Sequence, residues 1–218
     1  MAKKDVIVIG LGRFGCSVSM NLEKKGYNVL AVDSSPQKVH KIADYVTHAV
    51  CADVTNEETM EDLGVGNFDI AIIAIGQNME SSILATIWAK DQGVKRVIAK
   101  AYDETQGKIL LKIGADEIVF PEKEMGKHLA NNITLEHITD AIELTDDYSI
   151  AEVQVFDSWV GENLISLDLR GKYGINVIAV KRGNDIIMNL KADAPILNGD
   201  IFVVLGENKM IRKLLSKK

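Results

Sequence analysis

The sequence contains little cysteine and little histidine. Cys16 and Cys51 are the two cysteines among 218 residues, so no disulfide framework is expected. We predict that both are small buried side chains without a redox or metal-binding role. The four histidines are His40, His48, His128 and His137, which leaves the last 81 residues without histidine. His128 and His137 do not have the spacing of a zinc site.

Long apolar runs and a basic surplus are also missing. The longest apolar run covers roughly residues 70–76, whereas a membrane-crossing helix needs about 18. The N-terminus shows no secretory signal, so we expect a cytoplasmic protein. Basic residues number 25 against 31 acidic ones, and residues 1–137 and 138–218 are each acidic. Because nucleic-acid binding usually requires a basic surface, we expect no nucleic-acid partner.

Hydrophobic residues make up 47% of the chain, which is enough to form a buried core. Short runs rich in Val and Ile recur at residues 6–9, 28–32, 49–51, 69–75, 96–99 and 117–120. Helical segments separate them, with N-caps at Ser35 and Asn56 and terminating glycines at Gly26, Gly93 and Gly114. Buried strands joined by helical crossovers predict an α/β fold with a Rossmann-like, doubly wound parallel sheet.

A different pattern follows residue 121. Residues 122–142 predict a helix, which either packs on the sheet or bridges to the next domain. From Tyr148 onward apolar and polar residues alternate, and Gly183 marks a hairpin turn, as expected of a small α+β C-terminal subdomain. We therefore expect a nucleotide-binding domain at 1–120, bridging helices at 121–142 and a regulatory subdomain at 143–218.

The first run leads into a glycine-rich loop. Gly10, Gly12 and Gly15 have the G-x-G-x-x-G spacing between a predicted strand and a predicted helix. Gly10 allows a tight turn, Gly12 lets the backbone approach a pyrophosphate, and Gly15 allows close helix packing. Asp33 ends the second strand, where an acid accepts hydrogen bonds from ribose hydroxyls. No arginine follows Asp33, so we expect no cation to compensate a 2′-phosphate and NADP is disfavoured. An empty nucleotide fold is the alternative.

Further candidates lie at strand ends. Asp53 follows the third strand, and Gly76 and Asn78 follow the fourth, at the edge where such sheets bind ligands. Arg13 is unusual because a cation in the first turn opposes the helix dipole. Its presence favours a ligand with extra phosphate charge, such as ATP or ADP, although a solvated arginine is the other interpretation.

The second domain shows no catalytic pattern. A hydride-transfer enzyme presents an acid or base to its cofactor, and this part of the chain has no histidine or cysteine. We find no nucleophile elbow or Walker lysine. We therefore expect no enzyme, and a nucleotide that acts as a signal. The rival interpretations are an NAD-dependent oxidoreductase and a redox-sensing NADH-binding regulator.

Several segments resemble one family. Residues 8–15, 73–78, 112–116, 120–122 and 169–177 are similar to the RCK-domain (TrkA-N/TrkA-C) regulatory subunits of bacterial Ktr and Trk potassium-uptake systems, particularly the Ktr type. The resemblance implies a dimer that assembles into an octameric ring, attached to the inner face of the plasma membrane through a K⁺-translocating subunit. It also implies that ATP favours the conducting ring and ADP the inactive one, with NAD or NADH as other ligands.

The resemblance also implies roles for particular residues. Arg13 would reach the terminal phosphate of a nucleotide bound in the neighbouring subunit. Glu122 would coordinate Mg²⁺, Ca²⁺ or Na⁺ at the dimer interface, or it is an ordinary first-turn glutamate. The expected nucleotide-binding residues are Gly10, Gly12, Arg13, Phe14, Gly15, Asp33, Ser34, Asp53, Val54, Ile75, Gly76, Asn78 and Lys100.

Some relatives bind cyclic di-AMP across a dimer of the C-terminal subdomain. The resemblance places that ligand at Leu164, Arg170, Asn176 and Val177. From the residues alone, Arg170 is equally a cation at a helix end, and Val177 is equally an ordinary core residue.

Overall fold

The computed structural model describes residues 3–76, 78–134 and 138–216. The chain divides into two compact units, Met1–Glu124 and Met125–Lys218. Within the described ranges, no helix is both long and apolar enough to cross a membrane.

The first unit contains a parallel six-stranded sheet. Its strands are β1 (Asp5–Ile9), β2 (Asn28–Asp33), β3 (His48–Cys51), β4 (Ile70–Ile73), β5 (Arg96–Lys100) and β6 (Glu117–Val119). They are ordered β3-β2-β1-β4-β5-β6. The order reverses between β1 and β4, and in open α/β sheets ligands bind at the carboxyl ends of strands at such a reversal. The predicted Rossmann-like fold is confirmed.

Helices cover both faces of this sheet. They are α1 (Arg13–Lys24), α2 (Pro36–Ile42), α3 (Glu57–Asp62), α4 (Met79–Asp91) and α5 (Glu104–Lys112). Because side chains alternate along a strand, Val6 and Val8 pack on the face that carries Phe14 of α1, whereas Ile7 and Ile9 pack on the opposite face. Burial on both faces explains the nearly continuous hydrophobic runs.

The second unit is built around a five-stranded antiparallel sheet. Its strands are β7 (Ile138–Glu143), β8 (Tyr148–Gln154), β9 (Asn176–Arg182), β10 (Asp185–Ile187) and β11 (Ile201–Glu207), in the order β10-β9-β11-β8-β7. Its short helices are α7 (Leu164–Leu167), α8 (Leu169–Tyr173) and α9 (Asn208–Leu215). Phe202 and Val204 form part of the core beneath α9. The predicted small α+β subdomain is confirmed.

The predicted helix over residues 122–142 is wrong in its C-terminal part. Helix α6 covers Pro121–Thr134, and β7 then pairs antiparallel with β8, placing Ile142 opposite Ile150. Residues 135–137 lie outside the described ranges. Pairing with β8 decides the conformation of residues 138–142. A local helical pattern in the sequence does not reveal such a pairing.

The two cysteines are less buried than expected. Cys51 is exposed and Cys16 is half-buried, and both are free thiols. Cys51 lies at the end of β3, which is an edge strand, so only one neighbouring strand shields it. The expectation that both are buried is therefore wrong.

The glycine loop between β1 and α1 is tightly constrained. Gly10 has a φ of 100°, in the region that favours glycine. A β-carbon on Gly15 would lie 1.9 Å from the carbonyl oxygen of Gly10. Gly12 has a φ of −75°. A β-carbon added to Gly12 would have no described heavy atom from outside its own segment within 4 Å.

This contrast predicts a large loss of stability for one alanine substitution and little change for the other. Gly15→Ala should lower the free energy of unfolding by about 1–3 kcal/mol or more, because the added methyl overlaps backbone. Gly12→Ala should change it by less than about 0.5 kcal/mol. Urea denaturation of the two variants measures the difference, and equal unfolding midpoints would contradict this packing of α1 against the loop.

Candidate nucleotide-binding site

The glycine loop and the first turn of α1 line a cavity of about 570 Å³. Gly12 is the N-cap of α1, and the Cys16 N–H donates to its carbonyl over 3.0 Å. The preceding N–H groups of a first turn have no acceptor within their own helix. A phosphate placed at the loop can accept hydrogen bonds from them.

Asp33 lies at the end of β2 and accepts a hydrogen bond from the glycine loop. Its Oδ2 accepts a 2.7 Å hydrogen bond from the Leu11 N–H, and its Oδ1 accepts one from the Ser35 N–H over 2.9 Å. The side chain is 8% exposed. Burial acts to raise the pKa of Asp33, but these bonds and the Lys38 ammonium outweigh it and hold the pKa below its usual value. Asp33 is therefore an ionised acceptor at neutral pH.

The cavity brings together nearly all the predicted nucleotide-binding residues. Those that line it are Gly10, Gly12, Arg13, Phe14, Asp33, Ser34, Asp53, Val54, Ile75, Gly76, Asn78 and Lys100, together with Glu122. Gly15 is buried behind the loop, against the Gly10 carbonyl, so its part in the site is to allow the packing.

Two cations and one carboxylate share part of the cavity lining. Lys100, which is 12% exposed, donates a 2.6 Å hydrogen bond from Nζ to Oε1 of Glu122. A β-carbon on Gly76 would lie 3.5 Å from the same Nζ. The hydrogen bond from Lys100 lowers the pKa of Glu122 against the effect of burial, and the Arg13 guanidinium lowers it further. This part of the lining carries a net positive charge.

Asp53 is held by its own turn. Its Oδ1 accepts hydrogen bonds from the N–H and hydroxyl of Thr55 over 3.0 and 2.8 Å, which lower the pKa of Asp53. Asn78 caps α4 by accepting from the Ser81 N–H over 3.1 Å. Both side chains are therefore fixed by local structure at the cavity edge.

Among the residues that the structure describes, Glu122 belongs to no cluster of metal-ligating side chains. A bound Ca²⁺ or Mg²⁺ takes six or more oxygen ligands, while Glu122 is 70% exposed and bonded to an ammonium. In the described parts of the chain, no three His, Cys, Asp or Glu side chains form a group suited to a metal. His137 and Gln77 lie outside the described residues. A cation at Glu122 would therefore need further ligands, such as water, the nucleotide or another copy.

The four residues expected at a cyclic di-AMP site lie in the second unit. Leu164 is the first residue of α7. Leu164 and Val177 of β9 both pack against the core of this unit. Arg170 in α8 and Asn176 at the start of β9 are exposed. Two apolar and two polar side chains are thus distributed over three successive elements.

Lys38 and Ser81 also line the cavity, although the sequence analysis did not single them out. Lys38 Nζ lies 3.0 Å from Oδ2 and 3.2 Å from Oδ1 of Asp33. The expectation that Asp33 has no cation beside it is therefore wrong. The first turn of α2, beginning at Pro36, carries Lys38 back to Asp33, and a lysine five residues after the acid was the available signal.

Comparison with protein families supports the two-unit organisation. The TrkA-N domain model matches residues 6–121, and the TrkA-C domain model matches residues 150–218.

Individual proteins and structures show the same similarity. The Ktr system potassium uptake protein C of Bacillus subtilis is 42% identical over 204 residues, covering 94% of this chain and 92% of that protein. The Ktr system potassium uptake protein A of the same organism is 39% identical over 210 residues, covering 96% and 95%. The crystal structure of the GsuK RCK domain matches with a TM-score of 0.67 at 14% identity, covering 98% of this chain and 47% of that one, which shows a shared fold. The chain belongs to the TrkA-N/TrkA-C family of RCK proteins and, within it, to the Ktr type of potassium uptake protein.

Proposed function

We propose that this chain is a non-enzymatic regulatory subunit that controls K⁺ flux through a membrane-embedded K⁺-translocating subunit in response to a bound nucleotide. The observation that carries this proposal is that one cavity joins the glycine loop, the ionised Asp33 and the Arg13 and Lys100 cations. The similarity to Ktr potassium uptake proteins supports potassium uptake as the process that the nucleotide controls.

The charges in the cavity suit ATP or ADP. Asp33 is placed to accept hydrogen bonds from ribose hydroxyls, while the α1 N-terminus, Arg13 and Lys100 offer donors and positive charge to phosphates. Arg13 is exposed, so its guanidinium can reach a phosphate in its own cavity or in that of a neighbouring copy. NAD and NADH have the same ribose and pyrophosphate groups and are alternative ligands.

A signalling role for the nucleotide agrees with the side chains present. The described residues that line the cavity include no histidine, which is the side chain most often used for general acid–base catalysis, and no cysteine. A ligand without turnover can still act, because it shifts a conformational equilibrium when its affinity differs between two states.

The assembly is proposed as an octameric ring built from dimers, located in the cytoplasm and docked on the inner face of the plasma membrane. In this arrangement an added γ-phosphate would change the charge beside Arg13 and thereby the packing of neighbouring copies. The ring would transmit that change to the pore.

Cyclic di-AMP is proposed as a second regulatory ligand, held at Leu164, Arg170, Asn176 and Val177 across a dimer. Apolar Leu164 and Val177 would contact the bases, and Arg170 and Asn176 would reach phosphate or ribose. Equilibrium dialysis of the purified chain against cyclic di-AMP decides this: absence of saturable binding would remove the proposal.

Reconstitution in proteoliposomes with the K⁺-translocating subunit of the same cell tests the main function. K⁺ flux should be faster with ATP than with ADP. Gly12→Ala should abolish the nucleotide dependence while the chain stays folded, because its methyl group occupies the space where a phosphate approaches. Wild-type flux that does not respond to nucleotide would contradict the proposal.

Replacing Arg13 tests discrimination between the two nucleotides. Arg13→Ala should reduce the preference for ATP over ADP by about tenfold or more, as expected for one charge-assisted hydrogen bond to the terminal phosphate. Isothermal titration calorimetry measures both affinities. Arg96→Ala is the matched control, since Arg96 pairs with Glu117 and does not line the cavity. An unchanged preference in Arg13→Ala would refute the charge-sensing role.

Glu122→Gln tests the proposed cation. With ATP bound, Mg²⁺, Ca²⁺ or Na⁺ should raise the melting temperature of the wild type, and the neutral amide should abolish that rise because it removes the anionic ligand. Glu124→Gln, two residues further along α6, should retain the response. The idea fails if Glu122→Gln responds to these cations as the wild type does.

A further inference from the structure

The Asp33 carboxylate is fully engaged before any ribose arrives. A carboxylate offers about four acceptor positions, two on each oxygen. The Leu11 N–H takes one on Oδ2 and the Ser35 N–H takes one on Oδ1. The Lys38 ammonium bonds to both oxygens, at 3.0 and 3.2 Å, and fills the remaining two.

We propose that Lys38 determines how the site recognises ribose: its ammonium occupies the two Asp33 positions that the ribose hydroxyls need, so ribose binds by displacing it. This inference rests on the proposed nucleotide site. Lys38 and the hydroxyls of a sugar are thus competitors for the same carboxylate oxygens.

Lys38 is the donor that can leave. The Leu11 and Ser35 N–H groups belong to the backbone of the glycine loop and of the N-cap of α2, so their release requires refolding of those segments. The Lys38 side chain is 50% exposed, and its flexible four-carbon stem lets the ammonium move into water. Asp33, which is 8% exposed, keeps a full set of hydrogen bonds because the hydroxyls replace the ammonium.

The competition has a specific consequence for nucleotides without ribose hydroxyls. A 2′,3′-dideoxynucleotide has nothing to donate to Asp33, so it leaves Lys38 in place and gains nothing from removal of the lysine. When Lys38 is removed, a nucleotide with both hydroxyls can bond to the two free acceptor positions of Asp33 without displacing a competitor. The loss of a positive charge in Lys38→Gln affects the phosphates of both ligands equally and cancels when their affinities are compared.

The experiment measures the affinities of ADP and 2′,3′-dideoxy-ADP by calorimetry for the wild type, Lys38→Gln, Lys38→Arg and Lys41→Gln. The ratio of ADP affinity to dideoxy-ADP affinity should rise about two- to fivefold in Lys38→Gln, the range expected for removing a half-exposed ion pair. It should stay at the wild-type value in Lys38→Arg, which retains a cation for Asp33, and in Lys41→Gln, which has the same charge change on the same helix.

The alternative outcomes separate the two ideas. A ratio that stays constant or falls in Lys38→Gln, while the wild type binds ADP, overturns the competition and assigns Lys38 a supporting role for Asp33. Wild-type protein that binds neither nucleotide overturns the proposed nucleotide site, and this inference with it.

Discussion

The hydrogen bond from the Leu11 N–H to Asp33 holds the glycine loop against the end of β2. It is 2.7 Å long and buried, and it joins two parts of the cavity lining: the glycine loop, which is proposed to contact phosphate, and the acid that is proposed to contact ribose. The close approach of Gly15 to the Gly10 carbonyl then sets where α1 begins. The site is therefore positioned by the backbone of β1, β2 and α1.

Acid–lysine pairs recur along the cavity. Lys38 bonds to Asp33 and Lys100 bonds to Glu122. The two less exposed charges, on Asp33 and Lys100, are therefore each paired with a charge of opposite sign. In the proposed function, a nucleotide would bring ribose hydroxyls to Asp33 and phosphates to Lys100. Binding would therefore exchange internal ion pairs for contacts with the ligand, and the freed Glu122 carboxylate would become available to a cation or to a neighbouring copy.

The first unit could be predicted largely from local sequence. Its strands are buried on both faces, so they form continuous apolar runs, and the loop glycines and Asp33 stand at fixed offsets. Residues 138–142 could not be predicted in this way because the partner strand β8 determines their conformation. Exposure of Cys51 depends on β3 being an edge strand, which follows from sheet order and not from the residues themselves.

The site shows the same division. Spacing after Gly10 located the loop and the acid, but the contact of Lys38 with Asp33 depends on how the first turn of α2 folds back, and the Lys100–Glu122 pair joins residues of β5 and α6 that are far apart in sequence. Lys38 at least lies five residues after Asp33, whereas no short motif marks the Lys100–Glu122 pair, which meets through tertiary structure.

Calorimetric titration of the purified wild-type chain with ATP, ADP, NAD and NADH tests the central claim most directly. The account predicts saturable binding of one nucleotide per chain, with different affinities for ATP and ADP. Absence of saturable binding for all four would contradict it.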